Sequence, residues 1–155
     1  MAETTFVHFA VEGDRLAVSL DQISEVARVS QITPVPRAPA IIRGLANIRG
    51  RVITLVDVDV LYAREDAAPP PQAASGHAVV LSPPHDHLAL FTRSRVDTSR
   101  GGVAPTEGHA APSDASRAPS GGLVICNGVV AHLLPPVAIA EWCEERIMDL
   151  YRRGR

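Results

Sequence analysis

The sequence predicts a mostly β protein, with short strands joined in hairpins, brief helices between them and one helix at the C-terminal end. Three observations carry that prediction. Short apolar runs alternate with turn residues at Glu12-Gly13-Asp14, Arg49-Gly50 and Asn127-Gly128, the pattern of strands closed by tight turns. Pro34, Pro36 and Pro39 bar a long helix where one could otherwise start, because proline lacks the N–H and clashes with the preceding turn. Helical spacing of apolar residues appears only after Pro135-Pro136.

Taken in order, Phe6 to Val11 is a strand and Arg15 to Leu20 its hairpin partner, with Leu16, Val18 and Leu20 on one face. Asp21 can cap a short helix over Gln22 to Val26, its carboxylate accepting a first-turn N–H. Val29 to Val35 is extended. Ala40 to Arg43 allows one helical turn, stopped by Gly44. Gly44 to Ile48 and Arg51 to Val56 then form a hairpin around Arg49-Gly50, with Asp57 at its far end. The second strand is apolar at nearly every position, as a central strand covered on both faces would be. Val58 to Ala63 reads as a short helix or turn.

Glu65 to Gly76, with Pro69-Pro70-Pro71, is a linker or long loop. His77 to Ser82 and His87 to Thr92 form a further strand pair around Pro83-Pro84-His85-Asp86. Thr98 to Gly122 is rich in Gly, Pro, Ser and Ala, which suggests an exposed loop. Leu123 to Cys126 and Val129 to Leu134 flank Asn127-Gly128, the preferred pair for a type I′ turn. From Val137 to Tyr151, Ile139, Trp142, Cys143, Ile147 and Leu150 fall on one helical face. No internal repeat is visible.

Composition narrows the function. Hydrophobic residues make up 46% and aromatics only 4%, so the core is built from Val, Leu, Ile and Ala. Fifteen basic residues against 17 acidic ones give a net charge of −2, which makes no electrostatic case for nucleic acid or a membrane surface. No apolar run approaches the roughly 20 residues of a membrane span, and the first residues lack a signal-peptide pattern. The expectation is a cytoplasmic protein without membrane insertion.

Enzymatic chemistry finds no foothold. Gly101-Gly102 and Gly121-Gly122 lack the lysine and spacing of a phosphate loop, and no nucleophile elbow occurs. Cys126 and Cys143 sit in apolar patterns and read as core thiols. His85-Asp86-His87 offers two nitrogens but no evident third ligand. Asp57 and Asp59 are expected to point differently, and Glu144-Glu145 to be solvated. No catalytic residue, metal ligand or cofactor is assigned. A small-ligand or metal-binding regulatory barrel using His85 and His87 remains the competing reading.

One stretch is more specific. Arg43-Gly44-Leu45-Ala46-Asn47-Ile48-Arg49-Gly50-Arg51-Val52-Ile53-Thr54-Leu55-Val56-Asp57 closely resembles the signature of the CheW family, the adaptor domain of bacterial chemosensory arrays. The resemblance is good over about Phe6 to Leu61 and looser beyond. It departs from the pattern where Thr54 stands for the usual proline and Asp59 for the usual cation, and Arg93 to Asp97 replaces the typical second-half segment.

The resemblance implies two five-stranded SH3-like β-barrels in a single domain. The first barrel falls at about residues 6–64, the second at about 77–134 and the C-terminal helix at about 137–151. It implies a non-catalytic scaffold whose partners are the regulatory domain of a CheA-type histidine kinase and the cytoplasmic tip of a chemoreceptor. Arg49, Asn47, Gly50 and Arg43 become the candidate partner-binding residues, with Gly44 and Asp57 shaping and bracing the hairpin. A divergent member binding the kinase alone is the nearest variant.

Overall fold

The computed structural model describes residues 4–11, 13–62, 75–103 and 121–153. In chain order the strands and helices are β1 (Thr4–Val11), β2 (Asp14–Ser19), β3 (Ile23–Val29), β4 (Ile42–Ile48), β5 (Arg51–Asp57), α1 (Val58–Leu61), β6 (Gly76–Leu81), β7 (Leu88–Thr92), β8 (Asp97–Val103), β9 (Leu123–Cys126), β10 (Val129–Leu133) and α2 (Pro136–Arg153). The mostly β expectation holds, with two five-stranded units and a C-terminal helix.

The strands are shared out differently from the expected halves. A closed barrel runs β1-β2-β10-β9-β8, and a second sheet runs β3-β6-β7-β5-β4. The first hairpin therefore joins the last three strands, while the middle of the chain builds the other unit. Barrels at about 6–64 and 77–134 are thus corrected. The reason is a pair of parallel contacts that no local turn announces. In one, β2 lies against β10 with Leu16 opposite His132. In the other, β5 lies against β7 with Leu55 opposite Ala89.

Three local expectations also change. The helix over Gln22 to Val26 is replaced by a single 3-10 turn (Leu20–Gln22) leading into β3. That segment pairs with β6 over most of its length, with Val26 opposite Val79, and sheet pairing outweighs a weak helical preference. Ala40-Ile41 is a turn, and β4 begins at Ile42. Part of the supposed Thr98 to Gly122 loop is β8. Gly101 there faces β9 so closely that a Cβ would sit 2.3 Å from the Ile125 carbonyl oxygen. Residues 104–120 of that segment, and 63–74 at the end of the short helix and in the linker, lie outside the described residues.

Alternation explains the core. On β6, Ala78 and Val80 point into the second sheet's interior, whereas Val79 and Leu81 point to the core shared with the closed barrel. β7 repeats this, with Ala89 and Phe91 on one side and Leu88 and Leu90 on the other. On β5, Ile53 and Leu55 face inward and Val56 the shared core. The shared core takes Val7, Phe9, Leu16 and Val18 from β1 and β2, and is closed by Ile139, Ala140 and Cys143 of α2. Each large aliphatic side chain so buried contributes about 1.5–3 kcal/mol.

Candidate functional site

The β4–β5 hairpin turns in two residues, since Ile48 is opposite Arg51. Arg49 has φ 52° and Gly50 φ 81°, so both occupy the left-handed region that a tight hairpin turn of this hand requires. An L-residue with a Cβ resists that conformation by about 1 kcal/mol. Local bonding holds it: the Gly50 N–H donates to Asn47 Oδ1 at 2.9 Å. Asn47 thus shapes the turn with its side chain.

Arg49 presents its guanidinium with 82% of its side chain exposed, and its Nε lies 2.8 Å from Glu25 Oε2 of β3. β3 and β4 are the two edges of the second sheet, so this ion pair reaches across the sheet's seam. The cation is oriented while remaining open to solvent. Val52, opposite Asn47 on β5, is 67% exposed, which adds an apolar contact surface beside the polar tip.

Gly44 and Arg43 sit at the other end of β4, where the register shifts between Ile42 and Gly44. Thr33 and Leu45 exchange two backbone hydrogen bonds of 2.8 Å. That pairing needs the glycine, because a Cβ at residue 44 would meet the Thr33 carbonyl oxygen at 2.5 Å. Arg43 is half-buried and about 13 Å along the strand from Asn47 at ordinary strand rise. The hairpin therefore brings Arg49, Asn47 and Gly50 together and leaves Arg43 apart.

Asp57 is 2% exposed. Its Oδ1 and Oδ2 accept from Arg93 Nη1 and Nη2 at 2.7 and 2.8 Å. Asp57 Oδ1 also accepts the Asp59 N–H at 3.1 Å, capping α1. Asp59 Oδ2 takes a further bond from Arg93 Nη1 at 2.8 Å. The two carboxylates were expected to diverge. They converge because the strand ends at Asp57 and α1 turns the chain back at once. Hydrogen bonding to Asp57 first, and to Asp59 after it, raises the Arg93 pKa above its ordinary value against the opposing pull of burial. Asp57 thus ties the end of β5 to the residue after β7, away from the turn itself.

Glu25, Val52 and Arg93 escaped the sequence reading. Strand alternation offered a signal for Val52, since Ile53 and Leu55 face inward. Nothing local points to Glu25 or Arg93, whose partners are distant in the chain.

The remaining chemistry-bearing groups are placed as follows. His85 and His87 have ring centroids 6.4 Å apart, and His87 Nε2 lies 3.5 Å from Glu144 Oε1. Among the described residues, no three His, Cys, Asp or Glu side chains converge as a metal site would require. Cys126 and Cys143 are buried and unpaired. Burial, with a smaller contribution from Glu144, pushes the Cys143 thiol up to about 11, and burial likewise raises Cys126. Among the described residues no helix is long and apolar enough to cross a membrane.

Comparison with known proteins agrees with this geometry. The fold is similar to the crystal structure of the scaffolding protein TtCheW from Thermoanaerobacter tengcongensis, with a TM-score of 0.64 at 16% identity, covering 86% of this chain and 90% of that one. In sequence the chain is 34% identical over 58 residues to the chemotaxis protein CheW of Thermotoga maritima, covering 37% of this chain and 38% of the relative. It is 38% identical over 56 residues to protein FrzA of Myxococcus xanthus, covering 36% of this chain and 35% of the relative. The alignable part is thus little more than a third of either relative's length. A family model for the CheW-like domain matches residues 5–144, and with that match across both sheets the chain belongs to the CheW-like domain family.

Proposed function

We propose that this protein is a non-catalytic scaffold of a bacterial chemosensory pathway, coupling a chemoreceptor's cytoplasmic tip to the regulatory domain of a CheA-type histidine kinase. It would act in the cytoplasm, recruited to receptor arrays. The observation that carries the reading is Arg49, an exposed guanidinium fixed on a rigid two-residue turn by Asn47 and Glu25. A pre-oriented arginine loses little freedom on binding and presents a planar fork of donors. Asn47 and Gly50 serve by holding that turn, and Val52 adds apolar area beside it. Arg43, half-buried at the far end of β4, joins the contact only with a partner that also covers that end. The names of the relatives, a chemotaxis CheW and FrzA, support this assignment.

The test is a pair of binding measurements, one against a kinase regulatory domain and one against a receptor tip. Truncating a hot-spot arginine commonly removes about 2 kcal/mol, so Arg49→Ala should leave the fold intact and weaken binding roughly thirtyfold. Unchanged affinity for both partners would refute the role of Arg49. Binding of the kinase domain alone by the unaltered protein would identify a scaffold that does not engage the receptor.

A further inference from the structure

The interior of the closed barrel is apolar at its middle and charged at one mouth. Alternation sends Phe6 and Ala17 inward, where they cluster with Val124, Cys126 and Ala131. His8 lies two residues beyond Phe6 on β1 and opposite Ala17, so it faces the same interior, and it is buried. Arg15, two residues before Ala17 on β2, shares that face. Asp97, at the start of β8, is opposite His8. Strand register thus gathers an imidazole, a guanidinium and a carboxylate from three strands at one end of the barrel.

Arg15 spans the other two. Its Nε and Nη2 lie 3.1 and 2.7 Å from His8 Nδ1, and Nη2 is also 3.4 Å from Asp97 Oδ2. Guanidinium nitrogens only donate, so Nδ1 accepts and the imidazole proton sits on Nε2. The neutral ring is therefore part of a strap that runs from β2 over β1 to β8. A proton on Nδ1 would meet two N–H donors and a fixed positive charge, and the contact cannot survive it. Asp97 offers the alternative partner. Its Oδ1 is held by Arg95 Nε at 2.9 Å, while Oδ2 has only the long Arg15 bond. Among the described residues nothing else facing the ring competes. Cys126 of β9 is a neutral thiol whose pKa burial raises. His132 of β10 is exposed and shares the face of Leu16, and Asp14 and Arg100 alternate to the opposite face of β2 and β8.

Beside the strap lies the barrel's shortest seam, where β2 meets β10 only at Leu16 opposite His132 and Ala17 opposite Leu133. Arg15 immediately precedes it. We propose that His8 is a proton-operated latch on the closed barrel: protonation of Nδ1 passes Asp97 Oδ2 from Arg15 to the imidazolium, releases the Arg15 guanidinium into solvent and loosens the β2–β10 seam. The exchange leaves no buried charge unpaired, since the imidazolium gains the carboxylate as the guanidinium leaves it. Burial first, then Arg15, lowers the His8 pKa, and Asp97 opposes them. The latch is therefore fully closed above the ordinary imidazole value of about 6.5 and opens as pH falls through the lowered one.

The test follows side chains and amides of the full chain by NMR as pH is lowered from about 8 to about 4. The His8 ring nitrogens should pass from the Nε2–H tautomer to the imidazolium. The Arg15 Nε–H should exchange with water about tenfold faster or more below that midpoint. The Leu134 N–H, which donates to the Ala17 carbonyl across the seam at 2.8 Å, should lose protection at the same midpoint. Asp97→Asn removes the carboxylate that receives the imidazolium and should lower the midpoint by about one pH unit or more, whereas Arg15→Gln should raise it. Circular dichroism checks that the variants fold, and the unaltered protein decides the matter without them. An Arg15 Nε–H or a Leu134 N–H that stays protected while His8 titrates would overturn the latch, as would a His8 that stays neutral throughout or a midpoint unmoved by Asp97→Asn. So would loss of the whole dispersed spectrum at that midpoint, because His8 would then report acid unfolding alone.

Discussion

Replacing Arg93 with alanine should destabilise the fold more than any other surface-proximal substitution considered above. The Asp57 side chain is 3% exposed and that of Arg93 16%, so the pair is largely removed from water. Two unit charges about 4 Å apart attract by about 4 kcal/mol at an effective dielectric of 20. Without Arg93, Asp57 keeps the Asp59 N–H as its one side-chain partner among the described residues, and the two carboxylates that shared the guanidinium now repel. Removing one partner of such a buried pair costs about 3–5 kcal/mol. Loss of the guanidinium from its place 5.5 Å from the Phe91 ring centroid adds about 0.5–1 kcal/mol. In urea denaturation at neutral pH, the midpoint should fall by about 2 M for an ordinary slope at this size, and the melting temperature by about 10 °C. Asp57→Ala should show a comparable loss, and a double-mutant cycle should return a coupling of about 2–3 kcal/mol. A loss below about 1 kcal/mol for Arg93→Ala would refute the argument, because a solvated pair is worth no more than that.

The remaining predictions probe other parts of the structure. Gly44→Ala forces a Cβ onto the Thr33 carbonyl oxygen and should cost about 2–3 kcal/mol, with faster amide hydrogen exchange at Thr33 and Leu45. Glu25→Ala breaks an exposed ion pair and should change stability by less than about 1 kcal/mol, while a threefold to tenfold loss of partner affinity, roughly 1 kcal/mol, would show that it orients Arg49. His8 accepts from Arg15 through Nδ1 at 2.7 Å. Burial first, then Arg15, lowers its pKa, against the opposing pull of Asp97. Its unfolded state therefore binds the proton more readily, so stability is fully present above about pH 6.5 and lost as pH falls from there through the lowered folded pKa. A His8→Gln variant should flatten that part of the stability–pH curve, and an unchanged slope would remove His8 as its cause.

The sequence made the hairpins legible because their signals are local. Asn127 and Gly128 adopt φ 51° and 76°, the conformation their identities demand, and Arg49-Gly50 follows the same rule. Asp57 reads from the sequence as a brace of its own hairpin, whereas its partner Arg93 follows another strand and the parallel β5–β7 contact brings the two together. The same blindness explains the misassigned barrels: hairpins fix neighbours, whereas the parallel β2–β10 contact joins segments far apart in the chain. β8 was hidden for a different reason. Its glycines read as loop residues, yet Gly101 is a strand residue whose missing side chain lets β9 approach. At the hairpin tip the turn was legible and its outward surface was not, since the exposure of Val52 and the Glu25 contact depend on which strand edges meet.

The closed barrel is sewn from both ends of the described chain, with the second sheet inserted between its second and third strands. During synthesis β3 to β7 can pair as soon as they emerge, whereas β1 and β2 must wait for β8, β9 and β10. Until then Phe6 and Ala17 lack Val124, Cys126 and Ala131, with which they cluster in the finished barrel, and such a waiting surface is open to wrong contacts. Slow addition of the last strands, by rare codons or a paused ribosome, should therefore lower the yield of folded protein, while the same delay placed before β6 should matter less.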